Sequence, residues 1–332
     1  MSLDASPEWL NHAEAWRAWR AAMAGQRMHH GWLLAGKSGL GKLDFAMAAA
    51  RELVAQPGIT ESPADHPDIV MVSYGPKDDK EERKRQNGKP FELSKVIRVR
   101  EIRAMQRRLI TRPTLGDRRV IIIQPADDMN VEAANALLKS LEEPPEGTFF
   151  ILVTHRPSRL LPTIRSRCRM LRFPVLSSGQ LERMLEAAGA GGTGGGEGDD
   201  ARRAAIRAAE GSYGAAVRFA QQDLGPVASA IEAMISQVQT DPGAAASLAK
   251  LIGPRADRAR LDAVFELAQA LVADHARRVT DHAHRNALVE AHGALVTLAA
   301  QAPTYNFDTS LLTVEIGGLL MRASPASEHA HG

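Results

Sequence analysis

The sequence holds a single cysteine, Cys168, in 332 residues. An intrachain disulfide is impossible, and so is a zinc site built from several thiolates. Aromatic residues make up only 5% of the chain, and charge of neither sign dominates: 41 Lys and Arg stand against 39 Asp and Glu, a net of +2. That balance excludes a protein that coats nucleic acid or a membrane by bulk positive charge. Lysine is scarce, with 9 of the 41 cations, so 32 are arginines. Arginine favours planar, bidentate contacts to phosphate and carboxylate; a GC-rich genome gives the same bias. No apolar run nears the roughly 18–20 residues of a membrane span. The start, MSLDASPEWLNHAEAW, lacks the basic-then-apolar order of a signal peptide. The expected setting is the cytoplasm, with no membrane contact.

What is present is apolar material, 44% of the chain, enough for two or three domains at about 150 residues each. Up to Pro174, short β-branched and aromatic runs alternate with helical periods. Strands are expected at 31–35, 68–73, 120–123, 149–154 and 170–173. Helices are expected at 8–25, 43–55, 99–109 and 131–143, the last capped by Asn130 and stopped by Pro144-Pro145. Strands alternating with helices imply a parallel α/β sheet. The stretch 75–95, GPKDDKEERKRQNGKPFELSK, has no apolar period and reads as a solvated loop. After Pro174 the chain is nearly all helical: Ser177 and Gln180 form a capping box, residues 189–200 (AGGTGGGEGDD and its flank) read as a flexible linker, and Asp241 with Pro242 opens another helix. The expected division is an α/β core at 1–174, a small helical domain at 175–223, an all-α domain at 224–323 and a disordered tail at 324–332.

Gly36-Lys37-Ser38-Gly39-Leu40-Gly41-Lys42 matches G-x-x-x-x-G-K, with a strand expected before it and a helix after. Glycines let backbone N–H groups turn inward around phosphate oxygens, and the lysine neutralises them. The next position, which wants a Ser or Thr hydroxyl to hold Mg²⁺, is Leu43. The strand 120–123 runs into Gln124-Pro125, where a metal-binding Asp followed by Glu would stand; Asp127 and Asp128 read as loop or cap residues. The phosphate cradle is therefore expected to survive without hydrolytic apparatus.

Two further segments carry a family resemblance. Ala134 to Pro145, ANALLKSLEEPP, and Leu160 to Cys168, LLPTIRSRC, closely resemble stretches of the AAA+ subunits of bacterial DNA polymerase III clamp loaders, as do His29 to Leu34 and His66-Pro67-Asp68. The likeness covers about residues 25–175. It implies a P-loop core, a helical lid and a helical collar that builds a pentamer. Within the family the chain is similar to the non-hydrolysing δ′ type, since Leu43, Gln124-Pro125 and Gly211-Ser212-Tyr213-Gly214 each lack what the hydrolysing γ/τ type carries. The resemblance assigns Arg167 as a finger that completes a neighbour's ATP site in trans. It implies δ and γ/τ subunits as partners, with the sliding clamp and primed DNA reached through the complex. No cofactor is required, ATP binding at the loop is left open, and the four-cysteine zinc module of many relatives cannot exist here. Arg100, Arg103 and Arg107 share one helix face, which suits DNA phosphates and a plain solvated surface equally. An autonomous or γ/τ-like ATPase with atypical residues, and a nucleotide sensor that never hydrolyses, are the competing readings. Asp281, His282 and His284 read as a polar helix surface, and Trp9, Trp16 and Trp19 as packing for the first helix.

Overall fold

Short runs of β-branched and aromatic residues, bounded by glycine, proline or charge, build the first half of the chain. In the computed structural model, which describes residues 10–25, 28–55, 66–188, 203, 206–237, 243–253, 256–305 and 309–325, these runs form one parallel sheet. Its strands are β1 (Gly31–Ala35), β2 (Ile69–Val72), β3 (Arg119–Ile123), β4 (Thr148–Thr154) and β5 (Arg169–Arg172), in the order β2-β3-β4-β1-β5. The register sets Leu33 beside Leu152 and Met170, and Ile121 beside Phe150 and Val70. Before β1 runs α1 (Ala13–Met23), and between the described strands run α2 (Lys42–Val54), α3 (Asp79–Gln86), α4 (Val99–Leu109), α5 (Val131–Glu142) and the short α6 (Pro162–Arg165).

Side chains alternate across a strand, so each strand feeds two cores. Trp32, Leu34, Val120 and Ile122 pack with Trp19 of α1 and Phe45 and Leu53 of α2. Leu33, Ile121, Ile123 and Leu152 pack with Ile102 and Met105 of α4 and Leu137 and Leu141 of α5. Helices on both faces explain why β1 and β3 are buried at every position. Each such side chain contributes about 1.5–3 kcal/mol, against about 0–1 kcal/mol for an exposed ion pair. Trp19 lies 5.0 Å from Trp32, and Trp16 lies 4.3 Å from Phe45. Asp68, wholly buried, accepts the N–H groups of Thr114 (2.7 Å) and Leu115 (2.8 Å), and so pins the connection from α4 to β3.

The stretch 75–95 is not the solvated loop its composition suggests. It contains α3, and a two-stranded clip closes its base: Pro76 bridges Leu93, Lys77 N–H donates to Glu92 O at 2.9 Å, and Ser94 N–H donates to Gly75 O at 2.8 Å. The helix has no apolar face to betray it. Asp78 caps it by accepting Glu81 N–H, and buried Glu81 holds Lys84 (2.7 Å) and the Glu92 N–H (2.8 Å). Polar caps and i,i+3 ion pairs replace the hydrophobic stripe. Beside it β2 forms one edge of the sheet, and a cleft of about 680 Å³ separates β2 and α4 from Arg85, Phe91 and Leu93 of this excursion.

The chain divides into two compact units, Met1–Val175 and Leu176–Gly332. The second is helical: α7 (Ser178–Ala187), α8 (Tyr213–Gln221), α9 (Gly225–Ser236), α10 (Ala244–Ile252), α11 (Arg258–Arg278), α12 (His282–Tyr305) and α13 (Thr309–Arg322). Ser177 and Gln180 make the expected capping box. Leu261, Val264, Phe265, Ala268, Leu271 and Val272 form the buried stripe of α11. Arg207–Glu232, Arg218–Glu266 and Arg277–Glu210 join the residues before 223 to those after it. His284 is no surface residue: it is buried, and its Nε2 bonds Ile235 O at 3.0 Å, while Asp281 caps the helix through His284 N–H. Among the described residues, no helix is long and apolar enough to cross a membrane. Trp9, residues 56–65, the linker 189–200, the Asp241–Pro242 start and most of the tail (326–332) lie outside the described residues.

Gly317 of α13 faces α10 so closely that an added Cβ would meet Ala245 Cβ at 2.9 Å and its Cα at 3.0 Å. Gly317→Val is therefore expected to lower stability by about 1–3 kcal/mol. At Gly318 the nearest obstacle is the tip of Arg322, at 3.8 Å. Gly318→Ala should be neutral or stabilising by up to about 1 kcal/mol. Urea unfolding of the two variants checks the contrast.

Candidate functional site

The connections leaving β1 and β4 run in opposite directions across the sheet, so a crevice opens at the carboxyl ends of these two strands. The glycine-rich loop fills one side of it. Gly39 and Gly41 have φ of +74° and +69°, conformations that side chains resist. Gly36 has no room for a side chain, since its Cβ would lie 2.5 Å from Phe173 O. Leu40 points into the core and is wholly buried. His12, also buried, bonds Leu40 O through Nε2 at 2.8 Å, with its ring edge-on to Phe45 and Phe173. Burial, and secondarily the charge of Lys42, lowers the His12 pKa; the neutral ring then donates its Nε2–H to the carbonyl.

Lys42 is the first residue of α2, so its loop opens onto a helix N-terminus. Its side chain is 3% exposed, and Nζ donates to Gly36 O (2.7 Å) and Lys37 O (2.5 Å). Loss of solvent pulls its pKa down to about 8, against an upward pull from Asp127. A phosphate group fits here: one ammonium N–H remains for it, next to the backbone N–H groups at the start of α2. A metal ion does not fit in the usual way. Leu43 packs against the core, and Asp127 spends both carboxylate oxygens on backbone, accepting His155 N–H (3.0 Å) and Arg156 N–H (3.1 Å). Asp128 accepts the Tyr74 hydroxyl at 2.5 Å. Burial, then this bond, raises the tyrosine pKa.

The sequence reading missed the far wall of the crevice. Thr154 Oγ1 and His155 Nδ1, at the end of β4, are buried without a hydrogen-bond partner. Burial, then the charge of Lys42, lowers the His155 pKa. The available signal was a Thr-His pair closing an apolar run, on the strand beside the loop strand.

Arg167 is elsewhere. It precedes β5 and lies beside Gly31, at the amino ends of the strands. Gly31 and Gly36 are five residues apart along β1, about 17 Å of extended chain. That exceeds the reach of an arginine side chain, so Arg167 does not serve its own loop. Its Nη2 pairs with Glu142 Oε1 at 2.6 Å, its Nη1 donates to Thr163 O at 2.9 Å, and about a third of it is exposed. Arg169 is committed differently, over the Trp32 ring at 5.3 Å.

The arginine stripe on α4 separates. Arg100 is turned aside by Glu101, at 2.6 Å, and by the carbonyl of Pro76. Arg103 and Arg107 remain exposed and join Lys139 of α5 around a cleft of about 570 Å³, with Glu143 at its rim. Lys139 was not among the sequence candidates; only the packing of α4 on α5 brings it there.

A family model described as DNA polymerase III, delta subunit, matches residues 11–177. The chain is 38% identical over 166 residues to the DNA polymerase III subunit delta′ of Pseudomonas aeruginosa, covering 46% of each chain. It is 34% identical over 172 residues to the delta′ subunit of Bacillus subtilis, covering 48% of this chain and 47% of that one. The alignments thus span about half the length of these curated relatives. The crystal structure of a DNA polymerase III gamma subunit-related protein from Thermotoga maritima superposes with a TM-score of 0.50, over 92% of this chain and 98% of that one. At 18% identity, that likeness is one of fold.

The buried Lys42 makes a pH prediction. Its folded pKa, about 8, lies below the ordinary lysine value of 10.5, so the unfolded chain holds the proton more tightly between those values. Stability therefore rises with pH across that window, by about 2–3 kcal/mol from this group. Relative to Lys42→Met, the wild type should gain that amount between pH 7.5 and pH 10.5 in urea unfolding. A difference that does not change with pH would contradict the buried ammonium.

Proposed function

The chain belongs to the family described as DNA polymerase III, delta subunit, and from that premise we propose that it is a δ′-type, non-hydrolysing subunit of a clamp loader. On this reading it sits between a δ subunit and a γ/τ subunit. It helps an ATP-driven complex open a sliding clamp and place it on primed DNA, and it supplies Arg167 to the neighbour's ATP site. One observation carries the proposal: Arg167, about a third exposed and held by Glu142 and Thr163, lies at the opposite end of the sheet from its own glycine-rich loop. An arginine that cannot serve its own site is suited to serve another. There its charge would offset that developing on the transferred phosphoryl group.

Support for the non-hydrolysing half comes from Leu43, Gln124-Pro125 and the fully engaged Asp127. Lys42, Thr154 and His155 suit a phosphate or nucleotide that is held and not cleaved; the reading needs no cofactor on this chain. Ser212 caps α8 by accepting Ala215 N–H, and in Gly211-Ser212-Tyr213-Gly214 no arginine is present to reach a nucleotide. Residues 175–223 would form the lid and 224–323 the collar through which the subunits assemble. Arg103, Arg107 and Lys139 would meet DNA phosphates, a task of charge and spacing with no base reading.

Purified alone, the chain should show no metal-dependent ATP turnover above that of Lys42→Ala; robust turnover that Lys42→Ala abolishes would make it an ATPase. In the reconstituted complex, Arg167→Ala should assemble normally yet slow DNA-stimulated hydrolysis at one neighbouring site by ~10³–10⁵-fold. An unchanged rate refutes the role in trans. Arg103→Glu with Arg107→Glu should weaken DNA binding by the complex and flatten its salt dependence by roughly two. Arg100→Ala, whose guanidinium is already engaged, should leave that slope in place.

A further inference from the structure

We propose that Glu142 is a positioning residue for Arg167, holding the guanidinium from within the same chain so that its unused N–H groups face the neighbouring subunit. The inference rests on the trans-acting reading of Arg167. Both ends of the arginine are seated. At the backbone, an added Cβ on Gly31 would lie 2.8 Å from Arg167 O and 3.3 Å from Cys168 Sγ, so only glycine lets the first residue of β1 lie against this turn. Arg167 N–H closes the turn by donating to Ile164 O at 3.1 Å, and Ile164 is wholly buried. At the tip, the guanidinium is held from two helices: Nη1 donates to Thr163 O of α6 at 2.9 Å, and Nη2 is ion-paired with Glu142 Oε1 of α5 at 2.6 Å.

Glu142 is itself anchored. It is the last residue of α5, and the carbonyl before it, Leu141 O, accepts His30 Nε2–H at 2.8 Å. His30 and Gly31, consecutive in sequence, therefore fix the carboxylate's helix end and the arginine's backbone to the same point of the sheet. A guanidinium has five N–H groups. One donates to Thr163 O while the Nη2 end is ion-paired with Glu142, and the remaining N–H groups can meet phosphate oxygens. An arginine left free would surrender its rotamer freedom each time it engaged a phosphate. The exposed pair contributes little to folding, so its main consequence is the orientation of the finger.

The test uses the reconstituted complex carrying Glu142→Ala or Glu142→Gln, beside Arg167→Ala. Glu142→Ala should assemble normally, keep the KM for ATP within about two-fold, and lower kcat at the neighbouring site by roughly ten-fold. Glu142→Gln, which keeps an acceptor oxygen, should recover part of that loss; a merely structural defect would not separate kcat from KM in this way. Nitrogen relaxation of the Arg167 side chain in the isolated chain gives a readout that needs no catalysis. Nε should be restricted in the wild type and mobile in Glu142→Ala, with Glu142→Gln between the two. Full activity in Glu142→Ala, a rise in kcat, or an Arg167 Nε as mobile as that of Arg165 in the wild type each overturns the proposal. If Arg167→Ala itself leaves the rate unchanged, the trans-acting reading fails; if Arg167→Ala is inactive while Glu142→Ala is fully active, only the positioning role fails.

Discussion

All five strands point the same way, and this common direction organises the chemistry of the first unit. Parallel strands give a sheet two unlike edges. At the carboxyl edge the chain turns tightly into α2, and there the glycine-rich loop, Thr154 and His155 collect. At the amino edge β1 begins and β5 is entered, and there Gly31, Glu142 and Arg167 collect. The two sites are separated by the length of a strand. An antiparallel connection at β5 would have carried Arg167 to the loop's own edge and removed its reason to look outward.

The form of the glycine-rich loop is set by backbone constraints. Positive φ at Gly39 and Gly41, the tight fit of Gly36 against Phe173, and the brace from His12 all concern backbone form. None of them depends on a metal. The side chains nearest to where a metal would be held are committed elsewhere: Leu43 packs against the apolar core, and Asp127 fastens two backbone N–H groups beyond β4. Lys42 then turns onto the loop's own carbonyls, an internal substitute for an anion's contacts.

Much of the first unit was legible in the sequence because burial there obeys a period. Val120-Ile121-Ile122-Ile123 is a strand on any reading, and the Asn130 cap on α5 is found where its sequence predicts it. The division of the arginine stripe was not legible. Arg100, Arg103 and Arg107 share a helix face, but the carbonyl that diverts Arg100 belongs to Pro76, 24 residues earlier. Lys139 and His155 were equally hidden, since their importance comes from neighbours on other elements. His284 looked polar and exposed, and is buried because a carbonyl 49 residues away receives its ring nitrogen. Helix α3 was missed for the opposite reason: hydrophobic periodicity cannot reveal a helix held by caps and charge.

The same charged excursion gives the open side of the sheet a different meaning. Among the described residues β2 has a partner strand on one side only, and an unpaired strand edge is a template on which another chain can add a strand. Met71, at 42% exposure, would make such an edge adhesive. Here the edge is four residues long, and the cleft beside it is lined by Arg85, Arg100 and Arg107, with Glu82 and Glu101 among them. An incoming strand would have to displace or desolvate those ions before it gained a ladder of hydrogen bonds. The stretch whose composition carried no recognisable motif thus lays charge beside the outermost strand of the sheet.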